Sequence, residues 1–558
     1  MNLSKFFAEL KRRKVYSVAI AYVVGGWALA QGVAQVFPVF DIPNWVVRVI
    51  VLLIVLGFPV ALMLSWFFDL TRYGIVRTPD AKPDRNIAIT ETPDLFEKSI
   101  AVLPFHDLSP QKDHDYFSDG IAEEILTALA KIDDLRVAAR RSSFWFKGKE
   151  SELGEIADKL NVEHVLEGTV RRDGNLVRVT AELINAREGF TIWSDSFERE
   201  MQGIFAVQDE ITRSIVDALK LKLDISPPTA SRLVRSTAAY DVYLHGLFYS
   251  DKATEEELRK SLEYFERALD KDPQFSRAWT GIAKTWLWLA DAYVPPLQAY
   301  PKVRDAAMNA LKIDNHDAEA HVYLGEAKRI LDWDMDTAAR EFCRAVELDP
   351  KSTPSNYFIA AFYAARGDRE EALTYLRRTA KIDPASLWVN NSACELYRYF
   401  GLYDEAIAAG ERALQLDPAF VYGEPLLAAL YREMGRFDEA IALYQKAQSL
   451  SGRPAFGLAI TYARMNRRSE ALEILGKAIA TRASYTPGDA IAHVHVALHA
   501  HDDAIRELER ACAERSSSLH FVGIAPEFVP LRTDERFLSI LRRIGLEPEK
   551  VFAAAPAR

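Results

Sequence analysis

Residues 369–418 read REEALTYLRRTAKIDPASLWVNNSACELYRYFGLYDEAIAAGERALQLDP, and this stretch decides the fold. It contains one pattern twice, because Ala372 and Ala406 lie 34 residues apart and so do Pro384 and Pro418. The pattern continues in both directions along the chain. Its alanines are Ala338, Ala372, Ala406, Ala440, Ala471 and Ala504. Successive alanines lie 34, 34, 34, 31 and 33 residues apart, which indicates an array of structural repeats.

The composition of each copy explains how a repeat packs. Two helices approach closely where alanine side chains meet, a larger residue four positions later fills the groove, and proline ends the second helix. Gly401 and Gly435 suit the turn between the helices, because glycine adopts the left-handed conformation without strain. The pattern resembles the tetratricopeptide family, which implies an all-α superhelix with a concave surface. We predict this array at residues 240–541, followed by a carboxy-terminal tail at 542–558.

The resemblance also implies which side chains line the concave groove, since the first helix of each repeat faces it. In this register the groove receives aromatic, asparagine and arginine side chains. The predicted partner-binding residues are Tyr357, Trp388, Asn391, Arg398, Tyr399, Tyr422 and Arg432. Such residues suit an extended peptide or an acidic tail, so we expect a protein or peptide ligand. The alternative is that they are solvated residues of the inner face.

Residues 98–225 follow another pattern, typical of a small α+β domain. Apolar runs mark buried strands, helical spacing marks helices, and period-two alternation on both sides of Asp173-Gly174-Asn175 marks a hairpin. The predicted elements, in the order β-α-β-α-β-β-β-α, lie at 99–105, 119–131, 135–139, 153–160, 162–172, 176–183, 190–193 and 204–219.

Several blocks of this domain resemble the bacterial TolB amino-terminal-like domain. They read SIAVLPF at 99–105, YFSDGIAEE at 116–124, LEGTVRR at 166–172, IWS at 192–194 and FAVQDE at 205–210. Similar modules precede tetratricopeptide arrays in bacterial regulators, behind a nucleotide-cyclase or a winged-helix DNA-binding domain. The resemblance therefore implies an alternative role as a regulatory or sensory component of cyclase-type or transcriptional signalling, with the α/β domain binding a small ligand.

Two stretches of the α/β domain are candidates for ligand contact. Ser118-Asp119-Gly120 precedes a predicted helix, where its amides could bind an anion or its side chains could cap the helix. Residues 136–149 interleave basic and aromatic residues, which suits a nucleotide or a strand end with solvated charges. The sequence lacks the phosphate-loop, serine-hydrolase, zinc-protease and paired-cysteine motifs. We therefore predict no enzyme activity and no cofactor.

The histidines and cysteines do not predict a metal site. Of the clustered histidines at 493, 495, 499 and 501, only His495 and His499 share a helix face, and zinc needs three or four ligands. Cys343, Cys394 and Cys512 are far apart, which excludes a disulfide framework and fits a reducing compartment. Their positions in the repeats predict buried thiols.

The first 85 residues differ from the rest in charge and hydropathy. They hold ten Lys/Arg and five Asp/Glu, a net charge of +5, whereas the remainder holds 59 and 74, a net charge of −15. The uncharged runs at 15–40 and 49–68 are long enough to cross a bilayer, which predicts a two-helix transmembrane hairpin at 1–69 and a linker at 70–97. Basic flanks place both termini and the soluble domains in the cytoplasm, at the bacterial inner membrane. A cleaved signal peptide is the alternative.

The composition agrees with a folded chain of several domains. Of 558 residues, 49% are hydrophobic and 27% charged, and the net charge of −10 argues against nucleic-acid binding. The expected fold class is therefore two transmembrane helices, a small α+β domain and an all-α superhelix. The expected function is that of a non-enzymatic, membrane-anchored adaptor or scaffold that binds protein partners through its groove.

Overall fold

The computed structural model describes residues 99–555 with short gaps, together with a small hairpin nearer the amino terminus. The gaps within 99–555 are residues 110–114, 133–134, 150, 201–203, 219–235, 251, 253, 291–292, 418–419, 421–422, 452–455 and 481–485. The chain divides into two compact units, Met1–Pro93 and Asp94–Arg558. In the first unit, strand β1 (Phe68–Thr71) pairs antiparallel with β2 (Gly74–Arg77).

The predicted fold class is wrong in one respect, the two transmembrane helices. Within the part of the chain that the structure describes, no helix is both long enough and apolar enough to cross a membrane. The predicted hairpin at 1–69 lies outside the described residues up to residue 67, and Phe68 and Asp69 belong to a strand. The observed class is a mainly helical superhelix with a small α/β domain. Lipid contact by residues 15–68 and a location at the bacterial inner membrane stay predictions.

The α/β domain is built on one mixed sheet. Its strands are β3 (Ser99–Val102), β4 (His106–Asp107), β5 (Arg136–Val137), β6 (His164–Asp173), β7 (Leu176–Asn185) and β8 (Phe190–Glu200). The strand order is β5-β3-β6-β7-β8, with β4 beside β6. β3 runs parallel to β5 and β6, whereas β6, β7 and β8 form an antiparallel meander. Gly174 has φ of +59° between β6 and β7, so the predicted hairpin turn is confirmed.

Four helices accompany the sheet: α1 (Asp115–Ala130), α2 (Arg140–Phe144), α3 (Leu153–Leu160) and α4 (Ile204–Ala218). The apolar face of α1 is fully buried through Phe117, Ile121 and Ile125. Helix α1 begins four residues before the predicted start, so Ser118-Asp119-Gly120 lies inside it and does not cap it. The second predicted strand, at 135–139, is only two residues long and is followed by the short helix α2.

From residue 237 to 514 the described residues form eight successive helix pairs. They are α5 (Thr237–Ser250) with α6 (Glu255–Lys271), α7 (Ser276–Leu289) with α8 (Pro296–Ile313), α9 (Ala318–Ala327) with α10 (Met335–Leu348), α11 (Thr353–Ala365) with α12 (Arg369–Ile382), α13 (Leu387–Tyr399) with α14 (Tyr403–Leu416), α15 (Gly423–Glu433) with α16 (Phe437–Ser451), α17 (Phe456–Arg464) with α18 (Arg468–Ala480), and α19 (Gly488–Ala497) with α20 (His501–Glu514). A π-helical turn, Lys328–Asp332, continues α9.

The packing inside the pairs agrees with the repeat pattern. All six periodic alanines lie on the second helices of their pairs and are completely buried. Gly401 and Gly435 have φ of +71° and +77° at the turns between paired helices, as predicted. The repeat array predicted from the 34-residue period is therefore confirmed. Of the three cysteines, Cys394 and Cys512 are buried, but Cys343 is exposed, which corrects its predicted burial.

The carboxy-terminal segment folds back onto the array. It comprises two 3₁₀ turns, Ser517–Phe521 and Pro526–Leu531, and helices α21 (Glu535–Arg543) and α22 (Pro548–Ala554). Val551 is fully buried, and the carbonyl of Ala554 accepts a hydrogen bond of 3.0 Å from Arg369 Nη1. Lys550 Nζ lies 2.5 Å from the carboxylate of Asp368. The predicted carboxy-terminal tail at 542–558 therefore includes a packed helix, α22.

Candidate binding site on the concave side of the array

The first helices of five successive pairs, α5, α7, α9, α11 and α13, face one large cavity. The cavity has a volume of about 3070 Å³. Further walls come from the segments that join successive pairs, from α1, β5 and α2 of the α/β domain, and from the 3₁₀ turn Ser517–Phe521. Since the array supplies its first helices to the cavity, the cavity lies on the surface that the repeat register assigns to ligand binding.

One end of the α/β domain is held by the beginning of the array. Arg277 of α7 forms an ion pair with Glu124 of α1. Arg172 Nη1 of β6 donates a hydrogen bond of 2.9 Å to Asp241 Oδ1 of α5. The ring of Tyr116 stacks on His245 of α5, with ring centroids 3.5 Å apart. Polar and stacking contacts together fix this end of the domain.

The opposite end of the domain contacts the middle of the array. Lys351 Nζ donates hydrogen bonds to the carbonyls of Ile132 at 2.8 Å and Leu135 at 3.3 Å. Ser142 Oγ donates to the carboxylate of Asp383. An apolar cluster joins Phe146 and Leu160 of the domain to Ala385 and Leu416 of the array. The α/β domain thus bridges repeats that are far apart in sequence, and the cavity lies between these two attachments.

The structure brings some of the predicted groove residues together at this cavity and separates others from it. Tyr357, Trp388, Asn391 and Tyr399 line the cavity. Tyr422 lies outside the described residues. Arg398 and Arg432 are not among the cavity-lining residues, because both are buried elsewhere on their helices.

Arg398 and Arg432 belong to a buried ionic cluster with Glu433 and Glu527. Arg398 Nη1 lies 2.9 Å from Glu527 Oε1 and also pairs with Glu433. Arg432 Nη2 lies 2.6 Å from the same oxygen of Glu527, and Arg432 Nη1 donates to Tyr444 Oη at 2.9 Å. All four charged side chains are at most 4% exposed. Two positive and two negative charges neutralise one another, so these arginines serve the contact between the array and the carboxy-terminal segment.

The cavity wall includes an aromatic cluster centred on Trp388. Its ring centroid lies 4.0 Å from Tyr357, 6.0 Å from Phe358 and 6.3 Å from Trp288. Trp288 belongs to α7, three pairs before α13, so the cluster joins distant repeats. We call these four residues, with Asn391 and Glu395 of α13, the aromatic sector.

The polar groups in and beside the aromatic sector differ in their hydrogen bonding. Tyr399 Oη donates a hydrogen bond of 2.9 Å to Glu395 Oε1. Arg329 donates to both carboxylate oxygens of Glu326, at 3.1 and 2.7 Å, in a pair that borders the sector. The amide oxygen of Asn391 is buried and has no hydrogen-bond partner. Burial raises the pKa of Tyr357 to about 12, so this tyrosine is neutral at physiological pH.

Sequence reasoning missed Trp288, Phe358 and Glu395 as members of the site. Trp388, Asn391 and Glu395 are spaced i, i+3 and i+7, so the helical period could have identified Glu395. Phe358 follows the predicted Tyr357 directly. No local pattern relates Trp288 to Trp388, since they are a hundred positions apart and meet only through the curvature of the array.

The two candidate stretches of the α/β domain also border the cavity. Asp119 Oδ2 lies 2.6 Å from Lys147 Nζ, and Trp145 lines the wall beside them. Burial raises the pKa of Asp119, although Lys147 acts in the opposite direction.

Within the described residues, no group of three or more histidine, cysteine or acidic side chains is arranged to hold a metal ion. His493 is packed against Phe528, with ring centroids 4.4 Å apart.

Comparisons with protein families match two parts of the chain. The family model of the second domain of HilA/YgeH-like transcriptional regulators matches residues 96–214. A tetratricopeptide-repeat model matches residues 426–454. The array is therefore a tetratricopeptide-repeat array. The similarity of residues 98–225 to the TolB amino-terminal-like domain stays a prediction.

A curated relative and several solved structures are similar to parts of the chain. A putative adenylate cyclase 3 of Rhizobium meliloti (strain 1021) is 38% identical over 209 residues, which span 36% of this chain and only 35% of the relative. YrrB, a tetratricopeptide protein with an unusual peptide-binding site, is 20% identical, with a TM-score of 0.26, over 35% of this chain and 98% of its own. A thermophilic tetratricopeptide protein of Thermus thermophilus is 24% identical, with a TM-score of 0.27, over 32% of this chain and 92% of its own.

Proposed function

We propose that this protein is a non-enzymatic scaffold that binds an extended segment of a partner protein in the cavity. The observation that carries the proposal is the cavity of about 3070 Å³ lined by five successive first helices. Sites for small molecules usually measure about 300–1,000 Å³, so this cavity has room for a peptide. A surface that continues over several repeats suits an extended chain, since the ligand can contact one repeat after another.

The aromatic sector supplies the anchor for such a ligand. Trp388 and Trp288 are partly exposed at the cavity, and tryptophan and tyrosine side chains contribute most of the affinity at many interfaces. Arg398 and Arg432 do not contribute in this proposal, because their charges are neutralised in the buried cluster.

A second candidate function is regulatory, as a sensory component of a cyclase-type or transcriptional signalling system. Two similarities favour it: the match of residues 96–214 to a domain of transcriptional regulators, and the partial match to a protein named as a putative adenylate cyclase. A small ligand near Asp119, Trp145 and Lys147 would touch the α/β domain and the array at once. Calorimetric titration of the full chain with ATP and with cyclic AMP tests this candidate. A Lys147→Met variant should bind the nucleotide more weakly than the wild type, and no heat of binding with either nucleotide would contradict the candidate.

Selection from a random dodecapeptide library on the immobilised full chain tests the scaffold proposal. We expect the wild type to enrich a set of peptides, and a Trp388→Ala/Asn391→Ala variant to bind them about thirtyfold more weakly. That factor corresponds to about 2 kcal/mol, a typical loss when a central interface tryptophan is truncated. Phe190→Ala, which removes an exposed ring from β8, is the matched control and should bind normally. Equal binding by wild type and the double variant, with unchanged circular dichroism, would contradict the proposal.

A further inference from the structure

We propose that the aromatic sector is the pocket for a cationic side chain, arginine or lysine, of the bound segment. The inference rests on the proposed function and adds the chemistry of the partner. It is carried by three features of the same wall: aromatic faces, an excess of carboxylate, and an unsatisfied hydrogen-bond acceptor.

The aromatic faces are suited to a cation. Tyr357, Phe358 and Trp288 surround Trp388 with ring centroids 4.0 to 6.3 Å away, and the arrangements are edge-on or tilted. Rings that meet edge to face leave part of their negative faces open to a neighbour. A guanidinium or ammonium group within about 6 Å of such a face is attracted by the ring quadrupole, most strongly by that of tryptophan.

The carboxylates of the sector outnumber its cations. Glu326 is neutralised by the two hydrogen bonds that it accepts from Arg329. Glu395 accepts a hydrogen bond from the neutral hydroxyl of Tyr399. Among the described residues, no lysine, arginine or histidine forms an ion pair with Glu395. The charge of Arg398 acts on Glu395, but Arg398 is paired with Glu433 and Glu527. Glu395 therefore has no ion-pair partner of its own at the edge of the aromatic cluster, where a cationic side chain would gain both charge and ring contacts.

Asn391 supplies the third feature. It lies one helical turn from both Trp388 and Glu395 on the inner face of α13, and its buried amide oxygen has no hydrogen-bond partner. A buried acceptor without a partner lowers stability, and a donor on a ligand removes that penalty. Arginine and lysine carry only donors in their charged groups, so they satisfy Asn391 and Glu395 together.

The ion pairs of Arg398 and Arg432 also favour a basic ligand segment over an acidic one. The repeat register predicted that these arginines receive an extended peptide or an acidic tail, but Glu527 and Glu433 of the chain itself pair with them. Glu395, which has no ion-pair partner of its own among the described residues, is complementary to a basic ligand segment.

The peptides selected in the library experiment test the inference. We expect arginine or lysine to be enriched in them, and replacement of that residue by glutamate in the best binder to weaken binding more than tenfold in fluorescence anisotropy. Norleucine at the same position should give intermediate binding. Glu395→Gln should weaken the basic peptide about fivefold and leave the norleucine peptide unchanged. Glu411→Gln, on the exposed face of α14, is the matched control.

The aromatic contribution is tested separately by two variants of Trp388. Trp388→Phe keeps an aromatic face and should retain most of the affinity for the basic peptide, whereas Trp388→Leu should lose it. Peptides selected without a basic preference, or a Glu395→Gln variant that binds the basic peptide normally, would overturn the inference and leave the scaffold function in place. If no peptide is enriched by the wild type, both the inference and the proposed function fail.

Discussion

At the scale of single residues, the ionic cluster around Glu527 shows how burial changes the role of a side chain. Arg398 and Arg432 lie on first helices, where the repeat pattern assigns a ligand-binding role. In the folded protein they hold Glu527, which comes from the second 3₁₀ turn of the carboxy-terminal segment. A buried ion pair contributes little more to stability than apolar residues of the same size would. Removing one partner lowers stability strongly, because the other charge then stays buried without a partner.

The first prediction concerns Glu527→Gln. The variant leaves two buried guanidinium groups with only Glu433, so the free energy of unfolding should fall by about 3–5 kcal/mol. Urea denaturation followed by circular dichroism measures the change. Glu439→Gln is the control, since it breaks an exposed pair with Arg436 and should leave the urea midpoint unchanged. An unchanged midpoint for Glu527→Gln would show that the cluster does not hold the segment.

The stabilisation by Glu527 depends on pH, because its carboxylate can be protonated. Burial raises the pKa of Glu527, but Arg398 and Arg432 outweigh it and hold that pKa well below the usual range. The other titratable groups around it include Glu433, His493, Tyr399 and Tyr444. A depressed folded-state pKa stabilises the protein above the unfolded value of about 4.3, and the stabilisation is lost as the pH falls below it. The difference in the free energy of unfolding between wild type and Glu527→Gln should therefore shrink as the pH is lowered from about 5 to about 3.

At the scale of elements, the repeats pack through contacts between glycine and large side chains. Gly281 of α7 lies so close to Phe265 of α6 that an added Cβ would be 2.6 Å from its ring. Gly457 of α17 faces Tyr444 of α16 in the same way, at 2.2 Å. Such approaches let adjacent helix pairs stack closely, and Phe265 is completely buried as a result.

The second prediction compares two glycine substitutions within helices. Gly281→Ala should lower the free energy of unfolding by about 1–3 kcal/mol, because the added methyl group overpacks the Phe265 contact. Gly476→Ala, at an exposed position of α18 with no atom within 4 Å of the added Cβ, should raise it by about 0.5–1 kcal/mol. Both are measured by urea denaturation. Equal effects of the two substitutions would mean that the Phe265 contact adapts freely.

At the scale of the whole unit Asp94–Arg558, the α/β domain closes the concave side of the array. It is attached to α5 and α7 at one end and to the region from Lys351 to Leu416 at the other. Movement of the domain would therefore change the width of the cavity. Binding of a ligand in the cavity would in turn depend on the position of the domain.

The third prediction concerns the second attachment. Lys351→Met/Ser142→Ala removes the hydrogen bonds to Ile132, Leu135 and Asp383. Hydrogen exchange of the amides between 135 and 146 should become faster, because the bridge opens locally. The distant pair α19 and α20 should exchange as in the wild type, which provides an internal control. Unchanged exchange at 135–146 would show that the hydrogen bonds of Lys351 and Ser142 are not needed to hold this end.

The sequence predicted features that depend on local chemistry. The 34-residue period identified the helix pairs, and the alternation around Gly174 identified the hairpin, since each signal comes from residues close together in the chain. The start of α1 lies at Asp115, four residues before the predicted start. The candidate site was predicted in part: helical register alone directs Tyr357, Trp388, Asn391 and Tyr399 to the cavity.

What the sequence by itself determined is the repeat architecture, the hairpin meander and the inner face of each first helix. Only the tertiary structure decided that the α/β domain bridges the concave side, that Trp288 meets Trp388, and that Glu527 neutralises two predicted ligand-binding arginines. The physical reason is the large separation in sequence between the residues that make these contacts. Ser142 and Asp383 are 241 positions apart and Arg398 and Glu527 are 129 apart, and periodicity within a repeat carries no information about contacts between repeats and domains so distant.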